Sequence, residues 1–417
     1  MKITERHDLS RRSFLHYATA AAGMAAAHPL AAQGGDFDLI IAGGTVIDAY
    51  NNLNKVIDIG IKADKIVQVA DNLKPGAATR VLDAKGLYVS PGWIDLHTHV
   101  FAAADGGEAV HPDRDSGVYT GVTTIADPGG FRSDEFDAFR RDVIDKSITR
   151  VLGFTNIAAH RQKRGEPMHG EWSLFDQELT INTIAKNKDV LMGVKVLSSN
   201  RHAGNLTVTP TKLAVQAARE TGTHVMAHIG MAPPLIQEVL NLLGPGDIVT
   251  HCFKGFPMGI FHSDGRPVPE AWKALERGVR FDLGHGAGSF AWAAGRNAMK
   301  HNFPLHSLST DLHRGSVKGP VWSYGRTIAK LLHLGFTVPE AVKVSTLGPA
   351  ELIDRGRELG SLSAGTVADL TLFRVVDQKT KLTDSLRNSE TGDRDVQPVH
   401  CIRAGKVISE MKIPAAT

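Results

Sequence analysis

Three textures of apolar and polar positions follow one another along the chain. In residues 34–90, short runs rich in β-branched residues (38–41, 44–47, 56–61, 65–69 and 80–82) alternate with turns and carry no helical period, which predicts a small all-β unit. From 92 to about 346, apolar runs of strand length alternate with helical stretches, the texture of repeated βα units. The expected strands are 93–97, 123–127, 151–156, 190–197, 224–228, 247–251, 279–283 and 305–311. The expected helices include 134–146, 174–186, 211–221, 233–243, 270–277 and 290–300, followed by 339–345 and 349–354. Eight such units over ~250 residues match a closed (β/α)8 TIM barrel, here spanning 91–355. A doubly wound open sheet is the runner-up, and the Gly-x-Gly-x-x-Gly turn it would use after its first strand is missing. After the barrel, short β runs return at 370–375, 400–404 and 406–409; 377–384 yields no element, and 387–395 reads as a polar loop. The two β-rich flanks, 34–90 and 356–417, are expected to pair into one small β-sandwich beside the barrel.

Composition changes this picture little. Hydrophobic residues make up 42% and charged residues 22% of the 417, ordinary usage that argues against disorder and coiled coil. The formal charge of +3 falls to about +1 without the first dozen residues, giving no electrostatic case for a nucleic-acid partner. Cys252 and Cys401 are too few for a disulfide framework or a thiolate zinc site, so any metal must rest on His and carboxylate. The N-terminus reads Ser10-Arg11-Arg12-Ser13-Phe14-Leu15 before an alanine-rich run, which looks like a twin-arginine signal ending near residue 33. That run is shorter than the ~18 residues a bilayer span needs and is broken by His28 and Pro29, so no stable membrane insertion is expected. The expected address is periplasmic, reached through the twin-arginine export machinery; homo-oligomerisation stays open.

Chemistry gathers where the expected barrel strands end. In Trp93-Ile94-Asp95-Leu96-His97-Thr98-His99, the two histidines are two apart and point to the same side, ~6.6 Å apart along the strand, a spacing that lets two imidazoles converge on one cation. Lys195 is a lone amine in an apolar strand; in a dry barrel mouth it loses charge and can capture carbon dioxide as a carbamate. His228 and His251 end two further strands, and Asp311 is the only acid on the last. His224 shares His228's parity but lies ~13 Å deeper, so it reads as a floor residue, and Cys252 should face away from the site.

This order of His-x-His, Lys, His, His and Asp, each after a different strand, resembles the amidohydrolase superfamily of binuclear metal hydrolases. Residues 39–46, 90–92 and 360–370 resemble its flanking β domain, and His251-Cys252-Phe253, Gly284-His285-Gly286-Ala287-Gly288 and Ser309-Thr310-Asp311-Leu312-His313 are most similar to its deacetylase-like, dihydroorotase-homologue group. The resemblance implies two divalent ions, zinc first among candidates. His97, His99 and Asp311 would hold one, His228 and His251 the other, with carboxylated Lys195 as the bridge, and Asp311 would shuttle the proton. It also implies hydrolysis of an acyl amide or ester in a small acylated amino or hydroxy acid. Arg161, Arg201 and Arg314, with His285 and His313, are candidates for binding that substrate. A cyclic-amide hydrolase of the dihydroorotase or hydantoinase type is the alternative, and a non-catalytic barrel binding protein the remote one.

Overall fold

The computed structural model describes residues 36–102, 107–163 and 165–413. The leader expected at 1–33 lies outside them.

Seven N-terminal strands come first: β1 (Phe37–Ala42), β2 (Thr45–Asp48), β3 (Leu53–Val56), β4 (Asp58–Lys62), β5 (Lys65–Ala70), β6 (Ala78–Asp83) and β7 (Tyr88–Pro91). The parallel strands β8 (Trp93–Asp95), β9 (Val122–Pro128), β10 (Arg150–Asn156), β11 (Leu191–Ser198), β12 (His224–Ile229), β13 (Ile248–Thr250) and β14 (Arg280–Asp282) then pair in sequence order into one seven-stranded sheet. Most of their residues are buried, which is why they read as near-continuous apolar runs. Helices intervene: α1 (Phe136–Asp142), α2 (Gln177–Lys186), α3 (Asn200–Ala203), α4 (Thr209–Thr221), α5 (Ile236–Leu242), α6 (Pro269–Glu276) and α7 (Trp292–His301). Ile94, Leu96, Ala126, Phe154, Met226 and Ile248 share an apolar cluster with Leu352, Ile353 and Leu359, which close the floor. His224, at the start of β12, bonds Asp354 at 2.9 Å there, as its depth predicts.

The eighth position departs from the expectation. Residues 305–311 form no continuous strand; the sheet curls shut through isolated bridges, Asp282 with Ser307 and Thr98 with Leu312. Side chains replace the missing ladder. The Asp95 carboxylate accepts from the Thr310 backbone N–H at 3.0 Å and the Thr310 hydroxyl at 2.5 Å, and Asp282 accepts from the Thr250 and Ser309 hydroxyls at 2.7 and 2.6 Å.

Other elements also escaped the sequence pattern. β3 is largely exposed and shows no alternation. Helix α8 (Tyr324–Leu334) is buried from Tyr324 to Leu332, and its polar stripe of Arg326, Lys330 and His333, at i, i+4 and i+7, meets protein partners instead of water. From Ser389 on, the supposed loop at 387–395 belongs to β16 (Ser389–Arg403), which runs antiparallel along β15 (Leu370–Thr383). Its acids are polar because they pair with the barrel: Asp395 with Arg326 at 3.2 Å, Glu390 with His333 at 2.8 Å and with Arg296. Three short helices, α9 (Val338–Ser345), α10 (Leu347–Glu351) and α11 (Gly356–Leu359), precede β15, and β17 (Lys406–Ile408) follows β16. The flanks do pair: β7 joins β15 antiparallel in a six-stranded sheet, order β17-β16-β15-β7-β2-β3, and a four-stranded sheet, order β5-β4-β1-β6, shares an apolar core with it through Ile59, Ile61, Val46, Val89, Leu370 and Ile402.

Candidate active site

At the C-terminal ends of the parallel strands a cavity of about 570 Å³ opens, lined by His97, His99, Lys195, His228, His251 and Asp311 together with loop residues. The ligand atoms of His97, His99 and Asp311 lie within 4.8 Å of one another. The Asp311 Oδ1 is 3.2 Å from His99 Nε2 and 3.5 Å from His97 Nε2, and Lys195 Nζ is 3.3 Å from His97 Nε2. The His228 and His251 rings stand 4.5 Å apart, and His251 is 5.0 Å from His97. All six sequence candidates for metal binding therefore face one space.

Neighbours fix which nitrogen each ring presents. Thr250 donates its hydroxyl to Asp282, so it must accept from His97 Nδ1–H at 2.9 Å, which leaves His97 Nε2 unprotonated toward the cavity. His251 Nδ1 donates to the Gly284 carbonyl at 2.6 Å, freeing its Nε2 likewise. Electrostatics favour these neutral forms. Burial, then Lys195, holds His97 well below its ordinary pKa; burial and then Lys254 do the same to His228 and bring His251 to about 3. Burial also brings Lys195 down to about 8, against the pull of Asp311. Asp311 differs: burial raises it, but His97, His99 and His251 outweigh that and keep it ionised. Burial lowers His99, but its bond to Asp311 wins and raises it. Lone pairs and a carboxylate converging on one space form a donor set suited to divalent cations of zinc type.

Two candidate ligands sit on backbone that non-glycine residues rarely adopt: His251 at φ 72° and Asp311 at φ 47°. Such conformations persist where surrounding bonds over-determine them. Here Ser316 Oγ bonds the Asp311 carbonyl at 3.3 Å, and the Cys252 N–H donates to the Asp282 carbonyl at 3.1 Å. Glycines give room beside them. A Cβ on Gly286 would stand 2.2 Å from Asp311 Oδ2, and one on Gly129 would stand 2.9 Å from Lys195 Cβ.

The expected substrate-binding residues divide. Arg201, Arg161 and His313 line the cavity, but Arg161 is already held by Glu135 at 2.8 and 2.7 Å and by the Gly130 carbonyl. His285 does not line it: the ring is fully buried and turned toward Lys330. Arg314 is exposed and outside the lining, because its turn bends away after Asp311. Sequence reasoning missed Arg132 and His202. Arg132 lines the cavity, 1% exposed, with its Nη atoms on the Gly129 carbonyl at 2.9 Å and Gln162 Oε1 at 3.2 Å and its Nε unpartnered among the described residues. Burial and Arg161 lower its pKa to about 10. The available signal was its position just past the end of β9, where barrel loops carry function. His202 stacks edge-on against His228 at 5.1 Å.

No family model matches the chain. Sequence comparison finds a deacetylase of Agrobacterium fabrum, 34% identical over 369 residues, covering 86% of this chain and 88% of that protein. The solved structure of an adenine deaminase superposes with a TM-score of 0.82 at 32% identity, covering 90% of this chain and all of the other. A dihydroorotase structure gives 0.80 at 30% identity, covering 89% and 98%. With relatives of this kind over most of its length, and with a His-His-Asp group at the mouth of a curled parallel sheet, the chain belongs to the amidohydrolase superfamily of metal-dependent hydrolases.

Proposed function

We infer that the protein is a binuclear deacylase, removing an acyl group from the nitrogen or oxygen of a small acid. The observation that carries this reading is the convergence of His97, His99, Lys195, His228, His251 and Asp311 on one cavity beside the buried guanidinium of Arg132. His97, His99 and Asp311 would hold one divalent ion and His228 and His251 a second, with Lys195, carboxylated, as their shared ligand; zinc suits these donors best. Such ions supply Lewis acidity toward the scissile carbonyl and acidify water. Asp311, ionised and 3.2 Å from His99, takes the proton of the attacking water on its carboxylate and delivers it to the leaving amine or alkoxide. Arg132 and the exposed Arg201, both on the cavity wall, orient an anionic group through their positive charge. The deacetylase found among the relatives supports acyl removal; the dihydroorotase structure supports ring opening as the second reading.

Metal-loaded protein assayed against N-acyl amino acids, O-acyl hydroxy acids, dihydroorotate and hydantoins should release acyl groups from the first two. Ring opening without deacylation would transfer the assignment to the cyclic-amide type, and inactivity on all four would reject both. Elemental analysis should find about two ions per chain on this reading. The same proposal places the enzyme in the periplasm. Replacing Arg11 and Arg12 by Lys should trap precursor, and undiminished export would defeat that part.

A further inference from the structure

The loop from Gly284 to Gly288 gives Ala287 and Gly288 to the cavity wall, yet its histidine faces the other way. The His285 ring stacks on Phe290 at 4.6 Å, and its Nδ1 lies 2.9 Å from the Gly286 carbonyl, which can only accept. The other nitrogen, Nε2, is 2.6 Å from Lys330 Nζ. Lys330 is fully buried on α8, and its remaining partners are the carbonyls of Pro320 at 2.7 Å and Thr383 at 2.8 Å. Three donors thus meet three acceptors, none of them a carboxylate, with the Phe290 ring face 5.7 Å away. A buried cation without a carboxylate partner is costly, and an apolar side chain of similar length would be cheaper there.

What the amine holds explains its presence. On the site side of the loop, Gly284 receives the His251 Nδ1–H at 2.6 Å, and Gly286 abuts Asp311 so closely that no Cβ fits. On the far side, Ser385 Oγ, on the turn between β15 and β16, lies 3.2 and 3.0 Å from the His285 and Gly286 carbonyls. We propose that Lys330 is a positioning residue of the hydrolytic site: through His285 it sets the 284–288 loop, and with it the relation of His251 to Asp311, and it ties that setting to the C-terminal hairpin. The proposal rests on the deacylase reading above.

The test compares Lys330→Met, His285→Phe and the double variant as full-length, metal-loaded enzyme. Each single change should lower kcat by about 10²-fold, the scale of a misplaced catalytic group. KM should move less than about threefold, since the cavity arginines Arg132 and Arg201 lie outside the loop. The double variant should lose no more than the worse single, because the pair acts as one unit. It should also be more thermally stable than either single, since neither the Lys330 amine nor His285 Nε2 is left buried without the other, while its kcat stays low. Recovery of kcat together with stability, or a wild-type kcat in Lys330→Met, would overturn the proposal. Should the singles fail to fold, Ser385→Ala tests the same tie, and an unchanged kcat there counts against it. If the wild type releases no acyl group, the deacylase reading falls instead. Amide hydrogen exchange then still decides: faster exchange at 284–288 in Lys330→Met supports positioning, and an unchanged rate overturns it.

Discussion

Asp311 gives the His97 and His99 side of the centre a carboxylate, whereas the His228 and His251 side has two neutral imidazoles with amines nearby. On the first side the charges are complementary, and the acid raises one histidine and is itself held ionised. On the second, burial and Lys254 push both rings down, and Lys254, also at about 8, donates to the Ile229 carbonyl rather than to an acid. The first side is ready for a cation. The second offers lone pairs but no negative charge, which the carbamate proposed on Lys195 would supply. Lys195 acts on both: it lies 3.3 Å from His97, and its charge is among the causes lowering His228 and His251.

The contrast can be broken most severely at Asp311. Asp311→Asn should cost ~10²-fold or more in turnover, the scale for a positioned acid or base, while retaining at least one ion through the histidines. Ion content has to be measured with rate, and full metal with wild-type turnover would show that another group moves the proton. Lys195→Ala attacks the second side. It should lose one ion and most activity, with partial return when short carboxylic acids and zinc are supplied, because they restore the missing anion. Full activity without additives would exclude the bridge. The smallest effect is a difference in acid sensitivity of metal-free protein. His251, at about 3, and His202, which burial and then Arg201 bring to about 4, bind protons more readily when unfolded. Stability from these groups is therefore fully present above their unfolded pKa of ~6.5 and declines as pH falls toward 4. His99, whose pKa is raised, works in the opposite direction. His251→Gln should flatten the fall of melting temperature between pH 7 and 4.5 and His99→Gln should steepen it; the reverse order would refute the assignment of sides.

The six metal candidates stood out as polar residues in or just beyond apolar runs, and the fold lines one cavity with all of them. Arg132 was not, since an arginine after Gly-Gly-Phe reads as surface until its burial is known. His285 misled for a related reason: a histidine in a glycine loop looks aimed at the site, and the amine that turns it away lies 45 residues further on. Helix α8 was open to the period, since Arg326, Lys330 and His333 recur at i, i+4 and i+7; what the sequence does not show is that Arg326 and His333 of this polar stripe pair with β16 instead of facing water. The eighth barrel position looked like a strand because side-chain bonding to Asp95 and Asp282 fills with short polar residues the place a ladder would occupy.

The bridge between Thr98 and Leu312 joins residues 214 apart, which fixes the order in which the centre can be made. At ~5–20 residues per second, roughly 10–40 s of translation separate the appearance of the histidine pair from that of its acid. A nascent chain halted before residue 311 carries His97 and His99 but lacks both the carboxylate and the closure that brings it near. The full His-His-Asp donor group accordingly exists only after synthesis has passed the seam, and not on the growing chain.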